Sequence, residues 1–280
     1  MKETKITRGV KIAIGGKGGV GKTTICAVLA QLFAEEGFDV LAIDADPNTN
    51  LALAFGISSS AEQSPEPLIK MKQLIAERTG TTKDAAGAYF KLNPKVSDLP
   101  EKYWVKAGSR KGCLTAGVKL LVLGGITQAG AGCACPEGVF LKALMGHTIL
   151  NRQEIVLVDL AAGVEFMGRA SIEGIDALVV VTEPGGRSIE TTKTIARMGS
   201  ELGIKCVAAI LNKITNSAQV ETIKSQLAIP VLADINYDPA VQNADLHNEA
   251  VFGASDKLVN QLRGAKDKLV SLIESGQKKA

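Results

Sequence analysis

The sequence predicts an α/β fold: a doubly wound, mainly parallel sheet with helices on both faces. Three observations predict it. Short β-branched apolar runs alternate with longer helical segments along most of the 280 residues, the order that a parallel sheet with crossover helices requires. Apolar residues make up 46% of the chain and aromatics only 4%. The core must therefore be filled by Ala, Val, Ile and Leu, as in a sheet buried on both faces. A glycine-rich turn joins the first strand to the first helix, and sheets of this kind bind ligands at the carboxyl ends of their strands.

The elements follow in order. Residues 10–14 form a strand and residues 23–36 a helix stopped by Gly37, and residues 40–43 are a second strand ending in Asp44-Ala45-Asp46-Pro47. Regularity then lapses. Ser58-Ser59-Ser60 is a turn cluster, residues 68–78 read as a helix, and residues 90–108 read as extended because Pro94 and Pro100 oppose helix. Residues 57–115 are accordingly an insertion after the second strand of one domain spanning 1–280. Strands resume at 118–123, 155–159, 177–181, 207–211 and 230–232, with helical segments near 139–150, 188–202, 220–227 and 258–273.

The formal net charge is only +3, and no block of like charges occurs apart from Lys278-Lys279. This balance argues against a nucleic-acid partner. The charged N-terminus runs straight into the first strand, and no apolar run approaches membrane-spanning length, so a cytoplasmic protein without a membrane partner is expected. Five cysteines without a regular framework suit a reducing compartment.

The turn after the first strand is Gly16-Lys17-Gly18-Gly19-Val20-Gly21-Lys22-Thr23, a G-x-x-x-x-G-K-[ST] phosphate loop in its required strand-to-helix setting. Glycines let backbone N–H groups turn inward around phosphates, Lys22 reaches the outer phosphates, and the Thr23 hydroxyl is placed for Mg²⁺. The bound species is ATP or ADP. Lys17 adds a second cation whose role local chemistry leaves open. Asp44 and Asp46 follow the second strand on the loop's edge, where Asp46 has either a part in the chemistry or the simpler task of capping the next helix. Asp159 closes the apolar strand 155–158, the placement of a Walker B aspartate near Mg²⁺, and Gly163 follows in a segment suited to sensing the γ-phosphate.

With Thr24, the loop resembles the deviant Walker A motif of the MinD, ParA and nitrogenase iron-protein class of dimeric ATPases. The resemblance implies that Lys17 crosses a homodimer interface to the partner's nucleotide, in the manner of an arginine finger. It also implies that Asp46 orients the attacking water, that Asp44 supports the Mg²⁺ shell, and that Asn212, in Asn212-Lys213, reads the adenine edge. Hydrogen-bonding capacity is the independent support for Asn212.

Gly130-Ala131-Gly132-Cys133-Ala134-Cys135-Pro136 places two thiols in a loop of small residues. Two sulfurs do not complete the four-ligand shell of Zn²⁺ or of square-planar Ni²⁺. Two copies across a symmetric dimer supply four. The bland reading of such cysteines is that they are small buried hydrophobes.

The segments Gly132 to Pro136, Asp159-Leu160-Ala161-Ala162-Gly163-Val164-Glu165, Thr182-Glu183-Pro184-Gly185-Gly186-Arg187-Ser188 and Leu92-Asn93-Pro94-Lys95-Val96 resemble the CooC family of carbon monoxide dehydrogenase accessory ATPases. That resemblance implies Ni²⁺, with Zn²⁺ the competing ion, on paired Cys133 and Cys135. It implies a client nickel enzyme, carbon monoxide dehydrogenase or the acetyl-CoA synthase complex. Two alternatives from other classes are an electron donor like the nitrogenase iron protein, whose cluster cysteines lie far apart in sequence, and a MinD-like spatial regulator, which needs a basic amphipathic C-terminal helix. Cys26 and Cys206 read as core, Cys113 as a loop residue, and His147 and His247 as helix-packing residues.

Overall fold

The computed structural model describes residues 6, 8–58, 64–81, 91–107, 117–125, 135–146, 154–164 and 174–277. Cys113, Cys133, His147 and Glu165 lie outside them, so the expectations that fall on those residues are neither met nor opposed.

Among the described residues, eight strands form one sheet in the order β3-β4-β2-β5-β1-β6-β7-β8. They are β1 (Val10–Gly16), β2 (Asp39–Ala45), β3 (Val105–Lys106), β4 (Val118–Val122), β5 (Glu154–Leu160), β6 (Ala177–Thr182), β7 (Cys206–Ile214) and β8 (Val231–Asn236). Every neighbouring pair is parallel except β3 with β4. From central β1 the chain winds first toward β2 and β4 and later toward β6, β7 and β8. The turn after β1 therefore sits where the winding reverses, which is where open α/β sheets take their ligands.

The period-two pattern of each strand feeds two cores. Val10, Ile12 and Ile14 of β1, with Val179 and Val181 of β6, face helices α1 (Lys22–Glu35) and α9 (Asp256–Gln277). Ala13, Ile43, Val156, Val158 and Val180 face the other side, where α5 (Pro136–Gly146) and α6 (Gly186–Glu201) contribute Phe140, Leu144 and Ile195. Lys11 is buried within β1, and its amino group donates to the carbonyl of Met145 at 2.5 Å.

The apolar face of α9, with Leu258, Leu262, Leu269 and Ile273, is buried against this sheet and α1. Lys266 on the same helix is fully buried, pairs with Glu36 and lies 5.9 Å from the centre of the Phe33 ring. That face is used in packing and is not presented to a membrane surface. No described helix is long and apolar enough to cross a membrane.

Between β2 and β4 lie α2 (Leu51–Ala54), a single 3₁₀ turn (Leu68–Lys70), α3 (Lys72–Thr79) and α4 (Leu99–Tyr103). Residues 90–108 are therefore not extended throughout. Pro100 stands in the first turn of α4, where its missing N–H is not needed, so it starts the helix instead of opposing it. Arg78 fixes this region by a two-pronged bond to Asp98 at 2.8 Å on each arm. Toward the C-terminus β8 runs to Asn236, past the expected 232, and α7 (Ser217–Lys224) starts where Asn216 accepts Gln219 N–H at 3.1 Å. Helix α8 (Pro239–Leu246), which periodicity did not reveal, likewise begins at a proline. His247 at its end is exposed, not packed.

Candidate nucleotide and metal site

The phosphate loop spans from the last residues of β1 to the first turn of α1. Gly16 adopts φ +143°, and a Cβ there would stand 2.3 Å from the carbonyl oxygen of Val181. Gly21 caps α1 at φ +94°, and a Cβ there would stand 2.5 Å from Nδ2 of Asn212. Both positions exclude a side chain by space as well as by backbone angle. Lys22 is the first residue of α1 and is buried, whereas Lys17 is half-buried and has no hydrogen bond or ion pair among the described residues.

Beneath the loop, Thr23 Oγ1 donates to Asp159 Oδ2 at 2.6 Å. The other oxygen, Asp159 Oδ1, is buried with no hydrogen-bond partner among the described residues. A buried carboxylate oxygen without a partner is costly unless a cation or donor meets it. Thr23 and Asp159 therefore fit a divalent cation held at the loop. Burial pushes the Asp159 carboxyl up to about 7, against the opposing pull of the Thr23 hydroxyl and the Lys22 ammonium.

Asp44 lies beside Asp159 in the register of β2 and β5. Burial, and then the neighbouring Asp159 charge, raise it to about 7 as well. Its two oxygens are both engaged: Oδ1 accepts Asp46 N–H at 3.2 Å and Oδ2 accepts Leu51 N–H at 2.9 Å. Asp44 thus organises the loop that carries Asp46. Asp46 is half-buried, and its Oδ1 accepts Asn48 N–H at 2.8 Å. It closes a tight turn and does not cap α2, whose N-cap residue is Asn50. Gly163 returns to the loop from β5, its N–H donating to the Gly16 carbonyl at 3.0 Å.

Asn212 Nδ2 donates to the Val20 carbonyl at 2.8 Å, which ties the end of β7 to the loop. Its neighbour Lys213 adopts φ +57°, uncommon for a residue with a side chain. Lys213 Nζ reaches the Gly19 carbonyl at 2.6 Å and Glu183 at 3.1 Å. This Gly19–Lys213–Glu183 clamp was not assigned from sequence. The only signals for it were the position of Lys213 after Asn212 and of Glu183 in a segment matched as a whole. Ser188, in the first turn of α6, anchors that segment by accepting Glu183 N–H at 3.1 Å.

Cys135 precedes α5 and is half-buried. Its Sγ accepts Gly138 N–H at 3.2 Å, and its carbonyl accepts Val139 N–H at 3.1 Å. Helix α5 connects parallel strands β4 and β5, so its N-terminus belongs to the sheet edge that carries the phosphate loop. Among the described residues no group of three or more His, Cys, Asp or Glu is arranged to hold a metal. Cys26 and Cys206 are buried core residues.

Residues 11–251 match the family model for the CobQ/CobB/MinD/ParA nucleotide binding domain. The carbon monoxide dehydrogenase accessory protein CooC of Rhodospirillum rubrum is 42% identical over 237 residues, covering 84% of this chain and 87% of that protein. An ATP-binding protein of Methanocaldococcus jannaschii is 42% identical over 235 residues, covering 83% of this chain and 87% of its own length. Among solved structures, the MinD cell division protein of Aquifex aeolicus superposes with a TM-score of 0.63 over 94% of this chain and 97% of that one. At 19% identity it speaks for the fold alone. Fold, loop geometry and identity over most of both chains agree: the protein belongs to the CobQ/CobB/MinD/ParA nucleotide-binding family and, within it, to the CooC group of carbon monoxide dehydrogenase accessory proteins.

Proposed function

We propose that the protein is a dimeric, Mg²⁺-dependent ATPase that carries Ni²⁺ and passes it to a nickel enzyme, carbon monoxide dehydrogenase or the acetyl-CoA synthase complex. The observation that carries the ATPase part is the buried Oδ1 of Asp159 beside Thr23, without a hydrogen-bond partner among the described residues and under a loop built for phosphates. Thr23 and Asp159 are the residues that would hold Mg²⁺, with Asp44 in support, and the bound cation would offset charge on the outer phosphates. Lys22 neutralises the transferred phosphoryl group. Lys17, unpaired among the described residues, reaches a partner's nucleotide and adds positive charge there. Asp46 orients the attacking water, and Asn212 keeps its Oδ1 for the adenine amino group while Nδ2 braces the loop.

Ni²⁺ is cargo in this reading, held by Cys133 and Cys135 from each of two chains. Support comes from the need for four ligands, from the position of Cys135 on the phosphate-loop edge, and from the likeness to CooC, a carbon monoxide dehydrogenase accessory protein. The double substitution Cys133→Ser with Cys135→Ser is expected to abolish tight Ni²⁺ binding, read by competition with a chromophoric chelator, while MgADP affinity is kept. Unchanged nickel affinity in the double variant would remove the cysteines from the function.

A further inference from the structure

Strand β4 ends directly against the loop that carries Asp46. The Asp44 carbonyl accepts N–H groups from both Leu123, at 2.9 Å, and Gly124, at 3.2 Å. One residue on, Gly125 lies against Pro47: a Cβ on Gly125 would stand 2.4 Å from Pro47 Cγ, 2.7 Å from Cδ and 2.9 Å from the nitrogen. The opposite side of this glycine pair is closed by the inserted segment. Gly124 adopts φ +72°, and a Cβ there would stand 2.9 Å from Ile69 Cγ2 and 3.2 Å from Pro67 Cβ. Ile69 N–H also donates to the Leu123 carbonyl at 3.1 Å. Gly125 leads, eight residues later, to Cys133.

We propose that Gly124–Gly125 is the joint through which the Asp46 turn and the cysteine loop bias one another, with the inserted segment as its backing. The inference rests on the reading of Cys133 and Cys135 as metal ligands. Pro47 is the middle residue of the turn closed by Asp46 and Asn48, so any reorientation of Asp46 by nucleotide carries the proline ring with it. That ring bears on Gly125 where no side chain fits. Ile69 and Pro67 stand behind the neighbouring residue, so the glycine pair cannot yield toward the insertion. The coupling is reciprocal by thermodynamic necessity: whatever factor nucleotide applies to nickel affinity, nickel applies to nucleotide affinity. The joint also gives the insertion a task that its irregular sequence did not disclose.

The test uses the full chain and Ni²⁺ alone as probe, titrated without nucleotide, with MgADP and with Mg²⁺ plus a non-hydrolysable ATP analogue. The wild type should show nickel affinities that differ between nucleotide states by a factor in the range of about 5–150. Gly125→Ala, which forces the contact apart, and Pro47→Ala, which removes the ring atoms, should each bring that factor toward one while still binding nickel. The second substitution removes atoms instead of adding them, so the test survives if the first variant fails to fold. Nickel binding with the full factor retained in folded Pro47→Ala, or a wild type that binds nickel equally in all three states, overturns the joint alone. A wild type that binds no nickel overturns the metal reading and the joint with it.

Discussion

At Asp159 two demands meet, since burial favours the neutral acid and a divalent cation needs the carboxylate. Asp159 and Asp44 both stand at about 7, above the ordinary value near 4 for an aspartate. Between those values the folded, cation-free protein keeps protons that the unfolded chain has shed. Its stability therefore falls as pH rises through that window and levels above it. Cation binding has the opposite slope because it must displace the proton. Mg²⁺ affinity in the presence of ADP is expected to rise with pH up to about 7 by as much as about tenfold per unit for each proton released, and then to flatten. Titration of Mg²⁺ at constant ADP from pH 5.5 to 8 checks this, and a flat profile would contradict it. Asp44 and Asp159 were legible because each ends an apolar strand, and Thr23 because the loop motif fixes its place. The clamp of Lys213 on Gly19 was not: it depends on a left-handed backbone angle and on a glutamate thirty residues away, neither of which has a periodic signature.

Helix starts are the elements whose chemistry the sequence half concealed. Pro100 was grounds for expecting no helix, yet it occupies the first turn of one, as Pro239 does in α8, where proline's fixed φ is an advantage. The strands were visible as short, nearly continuous apolar runs, buried on both faces. Helix α8 lacked such a stripe, with Ala244 its only fully buried side chain. Its stability rests instead on Asp238. Oδ1 accepts Ala240 N–H at 2.9 Å, Oδ2 accepts the Ser255 hydroxyl, and Ser255 Oγ in turn accepts Leu258 N–H at 3.1 Å. One carboxylate thus secures the starts of α8 and α9. The Ser255 hydroxyl and the Ala240 N–H hold its pKa below the ordinary value. A depressed acid contributes stability above its unfolded pKa and loses it as pH falls through the folded one. Asp238→Ala is expected to remove about 1–2 kcal/mol near pH 7, lowering Tm by about 2–6 °C. The difference should shrink below pH 4. Thermal unfolding of both proteins across pH checks the pair of statements, and equal Tm at pH 7 would show that α8 is held by packing.

On the scale of the molecule, the sheet was readable from alternation and the site from one motif, but a single chain cannot display a second subunit. The dimer enters through Lys17, half-exposed and unpaired among the described residues in a loop whose other lysine is buried. If Lys17 serves the partner's nucleotide, Lys17→Ala should keep MgATP binding and reduce turnover by about 10²–10³, the range found when one transition-state donor is removed. Lys22→Ala should abolish turnover by spoiling its own loop. The two dead variants then distinguish the arrangements when mixed. In a mixed dimer the Lys17→Ala chain has an intact Lys22 and receives Lys17 from its partner, so one of the two sites is complete. Random pairing makes half of the dimers mixed, and about a quarter of wild-type activity should return. If Lys17 acted within its own chain, every site in the mixture would lack one lysine and no activity would return. ATPase assays on the separate and mixed variants, after exchange of subunits has been verified by differently sized tags, decide between these outcomes.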